Sequence, residues 1–223
     1  MYEKFFSLTS MPFSIAPDPK FLYMSARHRE ALAHLIYGVK NNGLVLLTGE
    51  VGTGKTTICR YLLSDLPDNV ETAFIINPKV TETELLSSIC DDLRIPYPQK
   101  ATSKILVDLL NTHLLDTLKE DKRTLVIIDE AQNLSVDVLE QLRLLTNLET
   151  NQRKLLQIIL LGQPELLNTL SGNSLRQLSQ RITASYHLNA LNKKETRQYI
   201  AYRMSVAGAK VNIFQRSAMD RIY

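Results

Sequence analysis

The stretch Leu44 to Thr57, LVLLTGEVGTGKTT, constrains the fold more than any other part of this chain. Its four leading apolar residues have the length and composition of a buried parallel strand. Gly49 and Gly54 then bracket four residues, and Lys55 and Thr56 follow directly. The residues after this loop can continue as a helix. A strand, a glycine-rich loop and a helix in this order predict a βα unit whose loop wraps around phosphate groups.

The loop residues predict how the phosphates of a nucleotide would be held. Glycines let successive backbone N–H groups face the phosphates, Lys55 is expected to reach the β- and γ-phosphates, and the hydroxyl of Thr56 is expected on Mg²⁺. A glycine turn between two core elements is the alternative interpretation. We predict a nucleotide site formed by Gly49, Glu50, Val51, Gly52, Thr53, Gly54, Lys55, Thr56 and Thr57.

A second apolar run ends in two carboxylates, in the stretch LVIIDEAQ from Leu125 to Gln132. Open α/β sheets bind ligands at the carboxyl ends of their strands, which is where Asp129 and Glu130 are predicted. Asp129 is expected to hold Mg²⁺, and Glu130 to orient and deprotonate an attacking water. A strand followed by an acidic turn is the alternative, but its combination with the glycine loop favours hydrolysis over a passive switch.

Two further polar side chains are candidates for the same site. Gln163 ends the apolar run of IILLGQPEL and can bond the γ-phosphate or the water; a simple turn before Pro164 is the alternative. Arg176 and Arg181 lie in LRQLSQRI, in a predicted helix before the last strand. Arg181 can reach the γ-phosphate of a neighbouring subunit as an arginine finger, whereas solvated helix arginines are the plainer interpretation of both.

Composition excludes several classes of protein. The 223 residues carry a net charge of +3, and the basic residues are dispersed, so no nucleic-acid surface is expected. Cys59 and Cys90 are predicted to be small buried residues rather than a disulfide. The four histidines lack ligand spacing, no signal peptide is evident and no apolar run reaches 18 residues. These features predict a reducing, cytoplasmic setting.

Strands and helices are predicted to alternate along most of the chain. The predicted helices are 26–41, 81–93, 103–119 and 136–148, and the predicted strands are 44–47, 72–76, 125–128, 156–161 and 183–188. Such alternation predicts a parallel sheet covered by helices on both faces. We predict an extended arm over residues 1–24, an α/β core over 25–190, and the start of a small helical domain over 191–223.

These motifs, with the opening PFSIAPDP and the later LRLLTNLET and GQPEL, resemble the AAA+ ATPases, specifically the general secretion pathway protein A group and the related MSHA pilus biogenesis ATPase. The resemblance implies a three-layer α/β/α P-loop fold followed by a helical lid. It assigns Walker A to Lys55 and Thr56, Walker B to Asp129 and Glu130, the polar sensor to Gln163 and the arginine finger to Arg181. The base and ribose are then expected near Phe13, Ile15, Arg27 and His28, although Phe13 is equally explained as core.

The resemblance also implies a function. It implies that the chain binds ATP or ADP with Mg²⁺ and associates with a neighbouring subunit. It also implies a secretion or pilus partner that is membrane-bound. The chain is then expected at the cytoplasmic face of the inner membrane, anchored through residues outside this sequence. The lid is expected to be cut short at Tyr223, which predicts slow hydrolysis. No nucleic acid and no membrane contact are expected from these residues. A DNA-associated ATPase of the transposition-regulator type and a nucleotide-gated scaffold are the alternatives.

Overall fold

The computed structural model describes residues 2–40, 43–76, 79–150 and 153–223. Within these ranges the strands are β1 Leu44–Gly49, β2 Val70–Ile75, β3 Arg123–Ile128, β4 Leu156–Gly162 and β5 Ile182–Leu188. They form one sheet in the order β2-β3-β4-β1-β5, and every neighbouring pair is parallel. The predicted parallel α/β sheet is therefore confirmed.

The helices account for most of the remaining described chain. They are α1 Tyr2–Phe5, α2 Ala26–Lys40, α3 Lys55–Ser64, α4 Glu82–Asp92, α5 Ser103–Lys119, α6 Val136–Leu145, α7 Glu165–Leu170, α8 Arg176–Ser179, α9 Lys193–Val206 and α10 Arg216–Ile222. Short 3₁₀ turns lie at Pro19–Phe21, Ala131–Asn133 and Asn173–Leu175. The predicted end of the first long helix at Asn41, and Met1 of the arm, lie outside the described residues.

The strands divide the core into two layers because successive side chains point to opposite faces of a sheet. On β1, Leu44 and Leu46 pack into a cluster with α4, α5, α6, α7 and α8. Val45 and Leu47 instead pack into a cluster with α2 and α3. All four side chains are at most 2% exposed. A strand with apolar residues at every position thus separates two helical layers, as a parallel sheet requires.

Local sequence signals explain where the helices begin. Helix α4 begins with a capping box, in which the Glu84 N–H donates to Thr81 Oγ1 at 3.3 Å and the Thr81 N–H donates to the Glu84 carboxylate at 2.8 Å. Ser25 caps α2, since the His28 N–H donates to Ser25 Oγ at 3.3 Å. Cys59 and Cys90 are free and buried, as predicted.

Two predictions are wrong in detail. The arm is not wholly extended, because it begins with α1 and contains the 3₁₀ turn Pro19–Phe21. This turn forms because Asp18 accepts from the N–H of Lys20 and Pro19 supplies a helical φ. Arg181 does not lie in a helix. The helix that begins at Arg176 has only four residues, and Arg181 lies in the link between it and β5.

The arm packs against both the core and the last helices. The Thr9 N–H donates to the carbonyl of Ala207, just after α9, at 2.8 Å. Arg60 of α3 donates to the carbonyl of Pro17 at 3.1 Å. The arm thereby spans from the helix after the glycine loop to α9. No helix within the described ranges combines the length and apolar character needed to cross a membrane.

Candidate nucleotide-binding site

The glycine loop leaves the carboxyl end of β1, the strand that lies between β4 and β5. It ends at Gly54, whose φ of 96° is left-handed and is reached easily only by glycine. Helix α3 begins at the next residue, Lys55. The strand, loop and helix predicted from the sequence are all present, and the N-terminus of α3 opens onto the carboxyl edge of the sheet, where its free N–H groups favour anions.

Lys55 folds back over this loop. Its ammonium donates to the carbonyl of Gly49 at 2.7 Å and to that of Glu50 at 3.0 Å, and the residue is only 7% exposed. Burial lowers the pKa of Lys55, while the nearby carboxylates of Glu130, Asp129 and Glu50 act in the opposite direction. The loop thus holds a cation beside the acidic residues at the end of β3.

Thr56 and Asp129 meet across the site. Thr56 Oγ1 donates to Asp129 Oδ2 at 2.7 Å, and Asp129 is only 3% exposed. Mg²⁺ is usually bound by one or two protein oxygens together with phosphates and water, so this pair fits a magnesium ion held beside the loop. The described residues contain no group of three or more His, Cys, Asp or Glu side chains that could hold a metal ion.

Glu130 is the second residue after β3 and has an unusual backbone. Its φ of 55° and ψ of 38° are left-handed, and its N–H donates to Asp129 Oδ1 at 2.9 Å. The Glu130 carboxylate accepts from Gln132 Nε2 at 2.6 Å, and Gln163 Nε2 lies 3.4 Å from the same oxygen. The structure therefore brings Glu130 and Gln163 together, and it adds Gln132, which the sequence interpretation missed although it lies in the same loop.

A cavity of about 660 Å³ opens beside the glycine loop. Its lining comes from the loop, Glu130, the arm around Ile15, and Tyr199 and Arg203 of α9. This volume falls in the range of ordinary ligand pockets. Ile15 is fully exposed on the arm side of the cavity. Tyr199 and Arg203 were not predicted, because nothing in the local sequence of α9 shows that it faces the loop.

Phe13 and Arg27, predicted to lie near the base, have other contacts. The Phe13 ring packs edge-on against Phe214 with centroids 6.2 Å apart, and the Arg203 guanidinium lies 5.9 Å from its centroid. Arg27 donates to the carbonyl of Ala190, in the link between β5 and α9. The cavity lining includes Ile15 and His28 but neither Phe13 nor Arg27. Each side chain instead contacts a residue of the lining, Arg203 for Phe13 and Ala190 for Arg27.

His28 lies beneath the glycine loop and is 5% exposed. Its Nδ1 is 2.6 Å from Ser25 Oγ, and its Nε2 is 3.1 Å from the carbonyl oxygen of Thr53. Because a carbonyl only accepts, Nε2 must carry the proton, which leaves Nδ1 to accept from Ser25. Burial lowers the pKa of His28, although the Thr53 hydrogen bond acts the other way. A neutral imidazole therefore supports the loop backbone.

This arrangement predicts a pH-dependent stability. Because the pKa of His28 is lowered in the fold, its contribution is complete above the unfolded value near 6.5 and is lost as the pH falls below it. Between about pH 7.5 and about pH 5.5, we expect the parent to lose unfolding free energy that His28→Gln does not lose. Urea titrations at both pH values measure this difference.

The control is His34→Gln, because His34 is exposed on the same helix. It should follow the parent at both pH values. Equal pH dependence in the parent and in His28→Gln would show that His28 does not carry the effect.

Arg181 lies at the other end of the sheet. Its neighbour Ile182 pairs with Leu44, the first residue of β1, whereas the glycine loop follows Gly49 at the far end of that strand. Five residues of a parallel strand separate these ends by ~16 Å. Arg181 is exposed, and its Nη2 donates to Asn147 Oδ1 at 2.9 Å. The structure does not bring it to the site of its own chain.

Comparison with known proteins gives the family. Residues 39–170 match the AAA domain family model. General secretion pathway protein A of Aeromonas hydrophila is 54% identical over 224 residues, which cover 100% of this chain and 41% of that protein. The resemblance expected from the motifs is thereby confirmed. The chain spans less than half the length of this relative.

Solved structures share the fold at low identity. Cdc6p from Pyrobaculum aerophilum has a TM-score of 0.72 at 19% identity, over 95% of this chain and 56% of that one. The ADP form of the Aeropyrum pernix ORC2 protein has a TM-score of 0.66 at 18% identity, over 92% of this chain and 58% of that one. The family match covers more than half of the sequence and implies nucleotide binding. The chain therefore belongs to the AAA domain family.

Proposed function

We propose that this chain binds and hydrolyses ATP, and that it uses this activity to drive or regulate assembly of a bacterial secretion or type IV pilus-like complex. The observation that carries the enzymatic part is the convergence of Lys55, Thr56, Asp129 and Glu130 at one edge of the sheet. A cation, a hydroxyl and two carboxylates beside a glycine loop are the groups that phosphoryl transfer to water requires.

Each side chain then has a distinct role. The loop N–H groups and Lys55 bind the phosphates, with Lys55 leaving its contacts to the carbonyls of Gly49 and Glu50. Thr56 and Asp129 would hold Mg²⁺, which would neutralise phosphate charge. Glu130 orients the attacking water and accepts its proton. Gln163, which lies beside the Glu130 carboxylate, bonds the γ-phosphate or the water.

The cavity lining supports a position for the rest of the nucleotide beside the arm. The base and ribose would lie between Ile15 and the α9 residues Tyr199 and Arg203, which share the lining with the loop. His28 acts from beneath by holding the Thr53 carbonyl, and Phe13 and Arg27 act by supporting the arm and the link to α9. ADP can occupy the same cavity after hydrolysis.

The secretion role rests on the relative, since 54% identity over the whole of this chain makes a shared biological setting reasonable. We infer that the chain acts at the cytoplasmic face of the inner membrane, beside a membrane-bound secretion or pilus protein. A salt-dependent DNA titration separates this proposal from a DNA-associated ATPase, because phosphate contacts weaken steeply with salt. We expect no specific DNA binding.

Glu130→Gln tests the proposed hydrolysis. An amide can still accept a hydrogen bond from water but is not a useful base, so we expect turnover to fall by about 10²-fold to 10⁴-fold. ATP affinity should remain within about threefold of the parent, because phosphate binding depends on Lys55 and the loop. Phosphate release and calorimetry measure the two quantities.

Glu120→Gln is the matched control. Glu120 is exposed after the end of α5, and its surface pair with Lys122 contributes little. It should leave both turnover and affinity unchanged. A Glu130→Gln chain that hydrolyses ATP at the parental rate would exclude Glu130 as the base.

A further inference from the structure

The side-chain amide of Gln132 joins the ends of two strands. Gln132 lies in the 3₁₀ turn after β3, and its Nε2 donates to Glu130 Oε2 at 2.6 Å. Its Oε1 accepts from the main-chain N–H of Gln163, at the end of β4, at 3.1 Å. One planar group therefore connects the carboxylate that follows β3 to the backbone that follows β4.

The backbone around Glu130 prepares this contact. A left-handed conformation is costly for a residue other than glycine, and it persists only where its surroundings hold it. Here the Glu130 N–H is bound by Asp129, and the Glu130 carbonyl accepts from the N–H of Asn133 at 3.0 Å. These bonds fix the main chain of Glu130. They leave the side-chain torsions free, so another group has to orient the carboxylate.

The end of β4 is shaped to admit the Gln132 side chain. A Cβ atom at Gly162 would lie 3.3 Å from Gln132 Oε1 and 2.6 Å from Leu166 Cδ2. The absence of a side chain at this position lets the Gln132 amide approach the Gln163 N–H. The contact therefore depends on the absence of a side chain at Gly162 as well as on Gln132 itself.

We propose that Gln132 is a positioning residue that orients the Glu130 carboxylate and couples it to the main chain at Gln163. Any displacement of Gln163 passes through the Gln132 amide to Glu130, because both hydrogen bonds are made by the same rigid group. A change at the γ-phosphate that moves Gln163 would then also move the base. This proposal rests on the proposed hydrolysis and on Glu130 as its base.

The chemistry of the amide supplies two variants that separate its two bonds. A side-chain amide presents an NH₂ donor group and an acceptor oxygen, a carboxylate presents acceptors only, and a thioether presents neither in useful strength. Gln132→Glu keeps an acceptor for Gln163 but loses the donor to Glu130 and places two carboxylates together. Gln132→Met has a similar shape and loses both bonds.

The kinetic test compares turnover with affinity. We expect both variants to lower kcat by at least about tenfold, as for a misplaced general base, while the KM and the Kd for ATP stay within about twofold. Gln99→Met, at an exposed loop position, is the matched control and should be silent. In a Glu130→Gln background, Gln132→Met should cause no further loss, because it acts through Glu130.

Two results would overturn the proposal. One is a Gln132→Met chain with parental kcat. The other is a loss from Gln132→Met that is as large in the Glu130→Gln background as in the parent. A parent chain without any ATP turnover would instead overturn the proposed function, and the assignment of Gln132 would fall with it.

A second measurement does not need hydrolysis. The Gln163 amide proton should exchange about threefold to tenfold faster in Gln132→Met, which removes its acceptor, and at the parental rate in Gln132→Glu, which keeps one. Equal exchange in the parent and in Gln132→Met would show that the bond does not protect Gln163, and the coupling to β4 would be refuted even if kcat falls.

Discussion

Lys55→Ala is expected to weaken ATP binding by at least about a hundredfold, which is the range for removing one partner of a buried charge pair. Lys55 is the cation that the loop itself holds in the site, within reach of the loop carbonyls and the acidic residues beyond β3. Without it, the charge on the β- and γ-phosphates faces Asp129 and Glu130 with no side-chain cation from the loop. Backbone N–H groups alone do not balance that charge.

Calorimetry with ATP measures this loss, and the melting temperature without nucleotide shows whether the variant remains folded. Lys104→Ala is the matched control, because Lys104 is exposed on α5 and away from the loop. It makes the same chemical change and should bind ATP as the parent does. If Lys55→Ala kept parental affinity, the loop would not be the phosphate site.

The fold was largely predictable because its central strands β1, β3 and β4 contain runs of consecutive apolar residues. Leu125 to Ile128 are completely buried, alternating between the two helical layers, so the run itself indicates a central parallel strand. The structure extends this strand back to Arg123 and Thr124, which are polar. Buried Thr124 belongs there because its hydroxyl donates to Glu71 on β2, and that partner is distant in sequence.

The loop residues of the site were predictable for a similar reason, since glycine spacing and strand ends are local features. Contacts between strands could not be predicted from such local features. Gln132 and Gln163 are neighbours only because β3 lies beside β4, and the strand order is not written in either segment. Phe13 shows the same limit, because its contact with Phe214 joins the arm to the far end of the chain.

Arg181 is expected to complete the site of a neighbouring subunit and thereby to have a large effect on the rate of ATP hydrolysis. Its place at the start of β5, ~16 Å along the strand from the glycine loop, prevents it from serving its own chain. Arg181 is exposed, and its hydrogen bond to Asn147 leaves the guanidinium accessible at the surface. In related phosphoryl-transfer systems such an arginine contributes about 10³-fold to 10⁵-fold in rate.

A site divided between two chains makes specific activity rise with protein concentration, because only associated subunits contain both the base and the arginine. Arg181→Ala should remove this rise and leave ATP affinity intact, whereas Arg176→Ala, at an exposed arginine five residues earlier, should retain it. Mixing Arg181→Ala with Glu130→Gln should restore activity, since one mixed interface joins the intact base of the first chain to the intact arginine of the second. Activity per subunit that is independent of concentration, together with a silent Arg181→Ala, would contradict the shared site. In that case Arg181 would only tie the start of β5 to Asn147.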